Sequence, residues 1–174
     1  MRRLSAPLLA LTLIAAPPLM AAEKKNPKVA EAVVFIHQDN LRAIKASTLA
    51  VENEGGLDAV AEFARGVVKA RGEADEKAVE LARRLNVKLK TPDAKKKEDK
   101  SIERLKQEKG VPFDRAYTRI EGRHLRRTIN RLQYYHKRTT GTPVAAYIAE
   151  FLPVLQDQEK VIGDLVPPMM KPVE

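Results

Sequence analysis

Apolar residues recur along this chain in four stretches with the period of a helix, about 100° per residue. Residues 27–53 gather Val29, Val33, Ile36, Ile44 and Val51 on one arc. Residues 57–86 gather Leu57, Val60, Ala64, Val67, Val68, Ala78, Leu81 and Leu85. Residues 112–139 gather Phe113, Tyr117, Ile120, Thr128, Leu132 and Tyr135, and residues 143–166 gather Val144, Ile148, Phe151, Leu155, Ile162 and Leu165. No hairpin pattern interrupts them. The boundaries carry start and stop chemistry. Asn26-Pro27, Thr91-Pro92 and Thr142-Pro143 each place a capping residue before a proline at a first helical position. Gly55-Gly56, Gly110 and Gly141 fall in the breaks, and Pro153, inside the fourth stretch, predicts a kink.

Two helical pairs with short turns, joined by a long connection, predict an all-α, ferritin-like four-helix bundle with a charged crossover between helices two and three. The crossover covers 87–111, with a short helix around Ala94–Glu108. An extended coiled coil is the alternative, disfavoured by broad apolar arcs and short turns. Glycines within the periodic stretches, Gly66, Gly72, Gly122 and Gly163, are expected to let helices approach closely.

The first 22 residues differ in kind. Arg2 and Arg3 precede the apolar run Leu8–Ala16, then Pro17-Pro18 and the small pair Ala21-Ala22. This is the layout of a secretory signal peptide, and the run is too short to span a bilayer. The predicted organisation is a leader over 1–22, a bundle domain over 23–166 and a loose tail over 167–174. The mature chain carries no transmembrane segment, so localisation reads as periplasmic, or peripheral to the outer membrane, in a Gram-negative-type bacterium.

Charge and composition narrow the chemistry. The 174 residues carry 32 basic and 23 acidic side chains, net +9, with no cysteine and three histidines. Zero cysteine excludes disulfides, thiolate metal sites and a lipid-anchored N-terminal cysteine. Without the leader the net charge is +7, unevenly spread: zero over 23–85, +4 over 86–111, +6 over 112–142 and −3 over 143–174. Arg115, Arg119, Arg123, Arg126 and Arg127 form a basic face on helix three, supplemented by Lys95, Lys96, Lys97 and Lys100. Such a face is either plain solvated surface or a contact for anionic envelope polymer or lipid head groups. Export and a scarcity of aromatics argue against nucleic acid.

Polar residues inside the apolar arcs are the most informative feature. His37 and Asn40 interrupt helix one, Arg71 and Asp75 helix two, Glu121 and His124 helix three, and Gln158 helix four, with Glu159 at its edge. His37, Arg71, His124 and Gln158 each lie about 25 Å of helix from the nearest hairpin turn. The predicted outcome is one central polar layer at mid-bundle. Glu121-Gly122-Arg123-His124 has the Glu-x-x-His spacing of di-metal bundles, making Glu121 and His124 the candidate metal ligands. Arg71 opposes that assignment, because a guanidinium cannot ligate and instead replaces a cation, with Asp75 at i+4 as its expected partner.

Several local patterns resemble one bacterial envelope family, domain of unknown function forty-one forty-two, a ferritin-like "predicted outer membrane protein". They are Phe35-Ile36-His37 with Asn40 and Ile44, Phe63-Ala64 with Val67-Val68, Phe113-Asp114-Arg115-Ala116-Tyr117, and Leu152-Pro153-Val154-Leu155. The resemblance covers about residues 33–165 and implies a ferritin-like fold and an envelope location. It also marks departures: Ala43 where the family tends to carry a carboxylate, Ala70-Arg71 where it favours Asp-His, and Gln158 where it favours His. His124 lies near the family's histidine. No nucleophile triad, phosphate loop or dinucleotide fingerprint is present. The sequence therefore points to a non-enzymatic, structural or interaction role, with two alternatives: a degenerate metal-binding bundle, or an anion binder acting through helix three.

Overall fold

The computed structural model describes residues 26–89 and 99–165. The predicted leader, the first part of the crossover helix and the tail lie outside the described residues. Within these bounds the chain forms α1 (Pro27–Val51), α2 (Asp58–Arg84), the short α3 (Lys100–Leu105), α4 (Gly110–Arg138) and α5 (Pro143–Asp164), with no strand.

Two helix starts form where the sequence places caps, and the third predicted one, Thr91-Pro92, lies outside the described residues. Asn26 accepts a hydrogen bond from the Lys28 amide at 2.9 Å ahead of Pro27. The Thr142 hydroxyl accepts from the Ala145 amide at 3.3 Å ahead of Pro143, and Asp99 caps α3 through the Ser101 amide at 2.8 Å. Asn86 adopts a left-handed φ of 54° and ends α2, while the Val87 amide returns to the Ala82 carbonyl at 2.9 Å.

α2 has no cap of its own. Asp114, on α4, reaches across and accepts the Leu57 amide at 2.6 Å and the Asn53 side-chain amide at 2.8 Å. Asn53 in turn accepts the Gly110 amide at 2.8 Å and donates to the Gly110 carbonyl at 3.0 Å. The α1–α2 turn is thereby bolted to the start of α4. At the other end the Asn26 side chain donates to the Arg138 carbonyl at 3.0 Å. These two ties make α1 and α4 antiparallel neighbours. α1 also packs on α2, α4 on α5 and α2 on α5. α2 and α4 both start at the bolted end, so the connection between them runs back along the bundle. That is the ferritin-like topology with one long crossover.

The core falls into two apolar clusters. The larger takes Val29, Val33 and Ile36 from α1, the smaller takes Ala46 and Ala50, and polar residues lie between. The smaller is closed by Ile102 and Leu105 of α3 with Phe113 and Tyr117 of α4. Two expectations need correction. In the second half of α1 the buried face is Ala43, Ala46, Ser47 and Ala50, while Ile44 is half-buried and Val51 exposed. Alanines carry little hydropathic signal, yet they are what allows the α1–α2 pair to pack tightly. Leu57, read as core, is exposed at the N-cap of α2.

The glycines also differ from expectation. A methyl group added at Gly66, Gly72 or Gly163 would meet nothing within 4 Å; only Gly122 faces a neighbouring helix, at Ile162. Gly66 and Gly72 therefore weaken α2 without any packing return. Gly66→Ala and Gly72→Ala should each stabilise the protein by about 0.5–1 kcal/mol, visible as a rise in Tm.

Candidate functional site

Between the two apolar clusters the four long helices converge on charged side chains. Asp39 lies three residues after Ile36 and four before Ala43, which puts it on the buried side of α1. The Arg71 Nη1, from α2, donates to Asp39 Oδ2 at 2.9 Å and to Asn40 Oδ1 at 3.1 Å. From α4 the Thr128 hydroxyl donates to Asp39 Oδ1 at 2.7 Å. His124 Nε2 stands 2.8 Å from the same oxygen. α5 supplies the Phe151 ring, 5.2 Å from the fully buried Arg71 guanidinium.

Further pairs flank this centre along α1. Toward the end tied by Asn26, His37 Nδ1 contacts Asp75 Oδ1 at 2.9 Å. Toward the bolted end Arg42 forms a tight ion pair with the buried Glu121, donates to the Ser101 hydroxyl at 3.3 Å and lies 3.6 Å from Asp99. Ser47 and Tyr117 share a buried hydrogen bond of 2.8 Å one step beyond.

The predicted layer is thus a ladder rather than one cluster. His37, Asn40, Arg71, Asp75, Glu121 and His124 all lie along it, but Arg71 pairs with Asp39 instead of Asp75, and Asp75 takes His37. Gln158 is buried with its Oε1 unpaired among the described residues and does not join. Glu159 is half-buried, 3.9 Å from Arg126, away from this centre. The hydropathic pattern does not single out Asp39 or Arg42, and it places Thr128 on the apolar arc. The spacing of Asp39 from Ile36 was a usable sign. Nothing local marked Arg42, whose partner stands 79 positions away.

The electrostatics favour the charged ladder. Burial alone would push the Asp39 carboxyl up, but His124, Arg71 and the Thr128 hydroxyl outweigh it and hold the carboxyl below its usual range. Asp99 is also lowered: burial opposes the shift, and Ser101 and Arg42 carry it. Burial pushes the Tyr117 and Tyr147 phenols up, keeping them neutral. A carboxyl depressed in the folded state contributes stability that is complete above its unfolded pKa, about 4, and is lost as pH falls through the folded value. Acid unfolding followed by circular dichroism should therefore show stability falling below about pH 4, with a flatter acid limb in Asp39→Asn.

The ferritin-like fold invites a metal at this level, and the residues do not fit one. The cationic place is taken by a guanidinium. Glu121 turns to Arg42 and His124 to Asp39, so the Glu-x-x-His pair does not converge. Among the described residues no three acidic or histidine side chains are placed to share an ion.

On the outer side of α4, Arg115, Arg119, Arg123 and Arg126 line one groove of about 760 Å³, joined by Arg104. Arg127 is exposed and lies outside it. Among the described residues no helix is long and apolar enough to cross a membrane.

Comparison with solved structures gives the crystal structure of a DUF305 fragment from Deinococcus radiodurans, with a TM-score of 0.70 over 80% of this chain and 95% of that one. At 11% identity this likeness speaks for the helical fold alone. Comparison with curated proteins finds no match. The family model described as a domain of unknown function, DUF4142, matches residues 15–165, and with that extent of match the chain belongs to the DUF4142 family.

Proposed function

We propose that this protein is an exported, non-enzymatic bundle of the bacterial envelope that acts through its shape and surfaces rather than through chemistry at its centre. One observation carries the reading: the mid-bundle position where a ferritin-like protein would work is closed by the buried Arg71–Asp39 ion pair. A guanidinium there neither ligates nor transfers protons near neutral pH, and it holds the neighbouring acid in its ionised, hydrogen-bonded form. The leader over residues 1–22, with its two arginines, short apolar run and small-residue end, supports export. The amphipathic helices, whose apolar faces are buried in the core, support a location in the periplasm or peripheral to the outer membrane rather than a spanning one.

Expression of the full chain in a Gram-negative host, followed by fractionation and N-terminal sequencing, tests the location. The expected product starts at Glu23 in the periplasmic or envelope fraction; an intact Met1 in the cytosol overturns it. Metal analysis of that same product tests the non-enzymatic centre. Stoichiometric iron, manganese or zinc that is lost in His124→Ala would defeat it.

A further inference from the structure

The arginine groove on α4 has more structure than a solvated helix face. Arg115, Arg119 and Arg123 follow one another at i+4 spacing, a step of about 6 Å along the axis, and Arg126 continues the wall, about 17 Å in all. Arg104, from the end of α3, faces them, and Glu159, Ile162 and Gly163 of α5 form the other side. Five arginines and no lysine line the groove, against the two acids Glu108 and Glu159. Among the described residues Arg115, Arg119 and Arg123 make no salt bridge; the lone pairing, Arg126 to Glu159, is a loose 3.9 Å between an exposed and a half-buried group. Arg115 is half-buried, with its Nε enclosed and unpaired among the described residues. The end of α4 that carries it is bolted down by Asp114.

Like charges gathered this way repel one another, and nothing in the core requires them. Arginine forks match tetrahedral and planar oxyanions with paired hydrogen bonds, which lysine does not. A wall about 17 Å long exceeds the reach of a single ion, and a concave channel fits a strand rather than a flat bilayer. We propose that this groove binds a linear, phosphate-bearing polymer, one chain lying along α4 with successive phosphates on Arg115, Arg119 and Arg123. The proposal deepens the surface-acting role given above. It rests on that role only for where the polymer is met, since binding by the purified protein is independent of export.

Long-chain inorganic polyphosphate is the probe, titrated into the purified full chain at low and moderate salt. Binding should weaken as salt rises. Arg119→Glu with Arg123→Glu should reduce affinity at least about tenfold. Arg127→Glu, on the same helix but outside the groove, should change it less than about threefold. Gly163→Trp changes no charge and enters open space; it should block the channel and abolish binding while circular dichroism stays unchanged. The proposal is overturned if Gly163→Trp binds like the parent, or if Arg127→Glu matters as much as the groove pair, since binding would then follow the diffuse field. Orthophosphate competing at equal phosphate concentration would reduce the site to a single-ion contact, and poly-glutamate binding equally tightly would remove the phosphate preference. Arginine-dependent capture of anionic lipid vesicles with no binding of polyphosphate would assign the face to membranes instead. Each of these three outcomes also overturns it.

Discussion

Asp39→Ala should cost about 3–5 kcal/mol of folding stability. The substitution removes the oxygens that accept Arg71 and Thr128 and that hold His124 close. Arg71, fully buried, is left among the described residues with the Asn40 side-chain oxygen and the Phe151 ring. The larger part of the loss is that stranded charge rather than the missing contacts. Asp39→Ala combined with Arg71→Met should therefore recover most of the stability, because a methionine fills the guanidinium's volume without needing a partner. Chemical denaturation of the two single variants and the double variant measures the coupling. A single-variant cost below about 1 kcal/mol, or no recovery in the double variant, would show that the ion pair does not hold the centre together.

Asp114→Ala is expected to have the second-largest effect, about 2–4 kcal/mol. The side chain is buried and receives two donors, the Leu57 amide at 2.6 Å and the Asn53 side chain at 2.8 Å. Losing it leaves the first turn of α2 without a cap and Asn53 with half its partners. Gly56 has no room for a side chain, since an added Cβ would come within 2.9 Å of the Asp114 carboxylate and 2.5 Å of Asn53. Gly110 sits at φ +58°, where an added Cβ would lie 3.1 Å from the Gly55 carbonyl. Asp114→Asn should retain part of the stability by keeping an acceptor for Leu57. Thermal unfolding of the two variants, with hydrogen exchange at the amides of 57–60, separates local fraying of α2 from global loss. Equal stability of Asp114→Ala and the parent would exclude the bolt as a stabilising element.

The four long helices were legible because each carries a wide apolar arc, and α1 and α5 add caps that act within a few residues. Asn26-Pro27 and Thr142-Pro143 set their helix starts by local hydrogen bonding, and those starts are where the sequence placed them. Legibility failed where residues carry little hydropathic contrast. Ala43, Ala46 and Ala50 look neutral in sequence and become the buried face of α1 because α2 lies against them. The candidate site was half legible for a related reason. A polar residue on an apolar arc is conspicuous, so His37, Asn40, Arg71, Glu121 and His124 stood out. Which of them meet depends on the rotation and offset of helices that are far apart in sequence.

The sequence by itself determined four amphipathic helices, the caps of α1 and α5, the charge gathered on the crossover and α4, and the presence of buried polar groups at mid-length. Those properties arise from interactions within one or two helical turns. Only the tertiary structure decided that Arg71 pairs with Asp39 rather than Asp75, that Glu121 turns to Arg42 and His124 to Asp39, and that four arginines of α4 share a groove with α5. Buried ions take the partner that packing brings within about 3 Å, where the interaction is strongest, and that choice is made between helices, not along them.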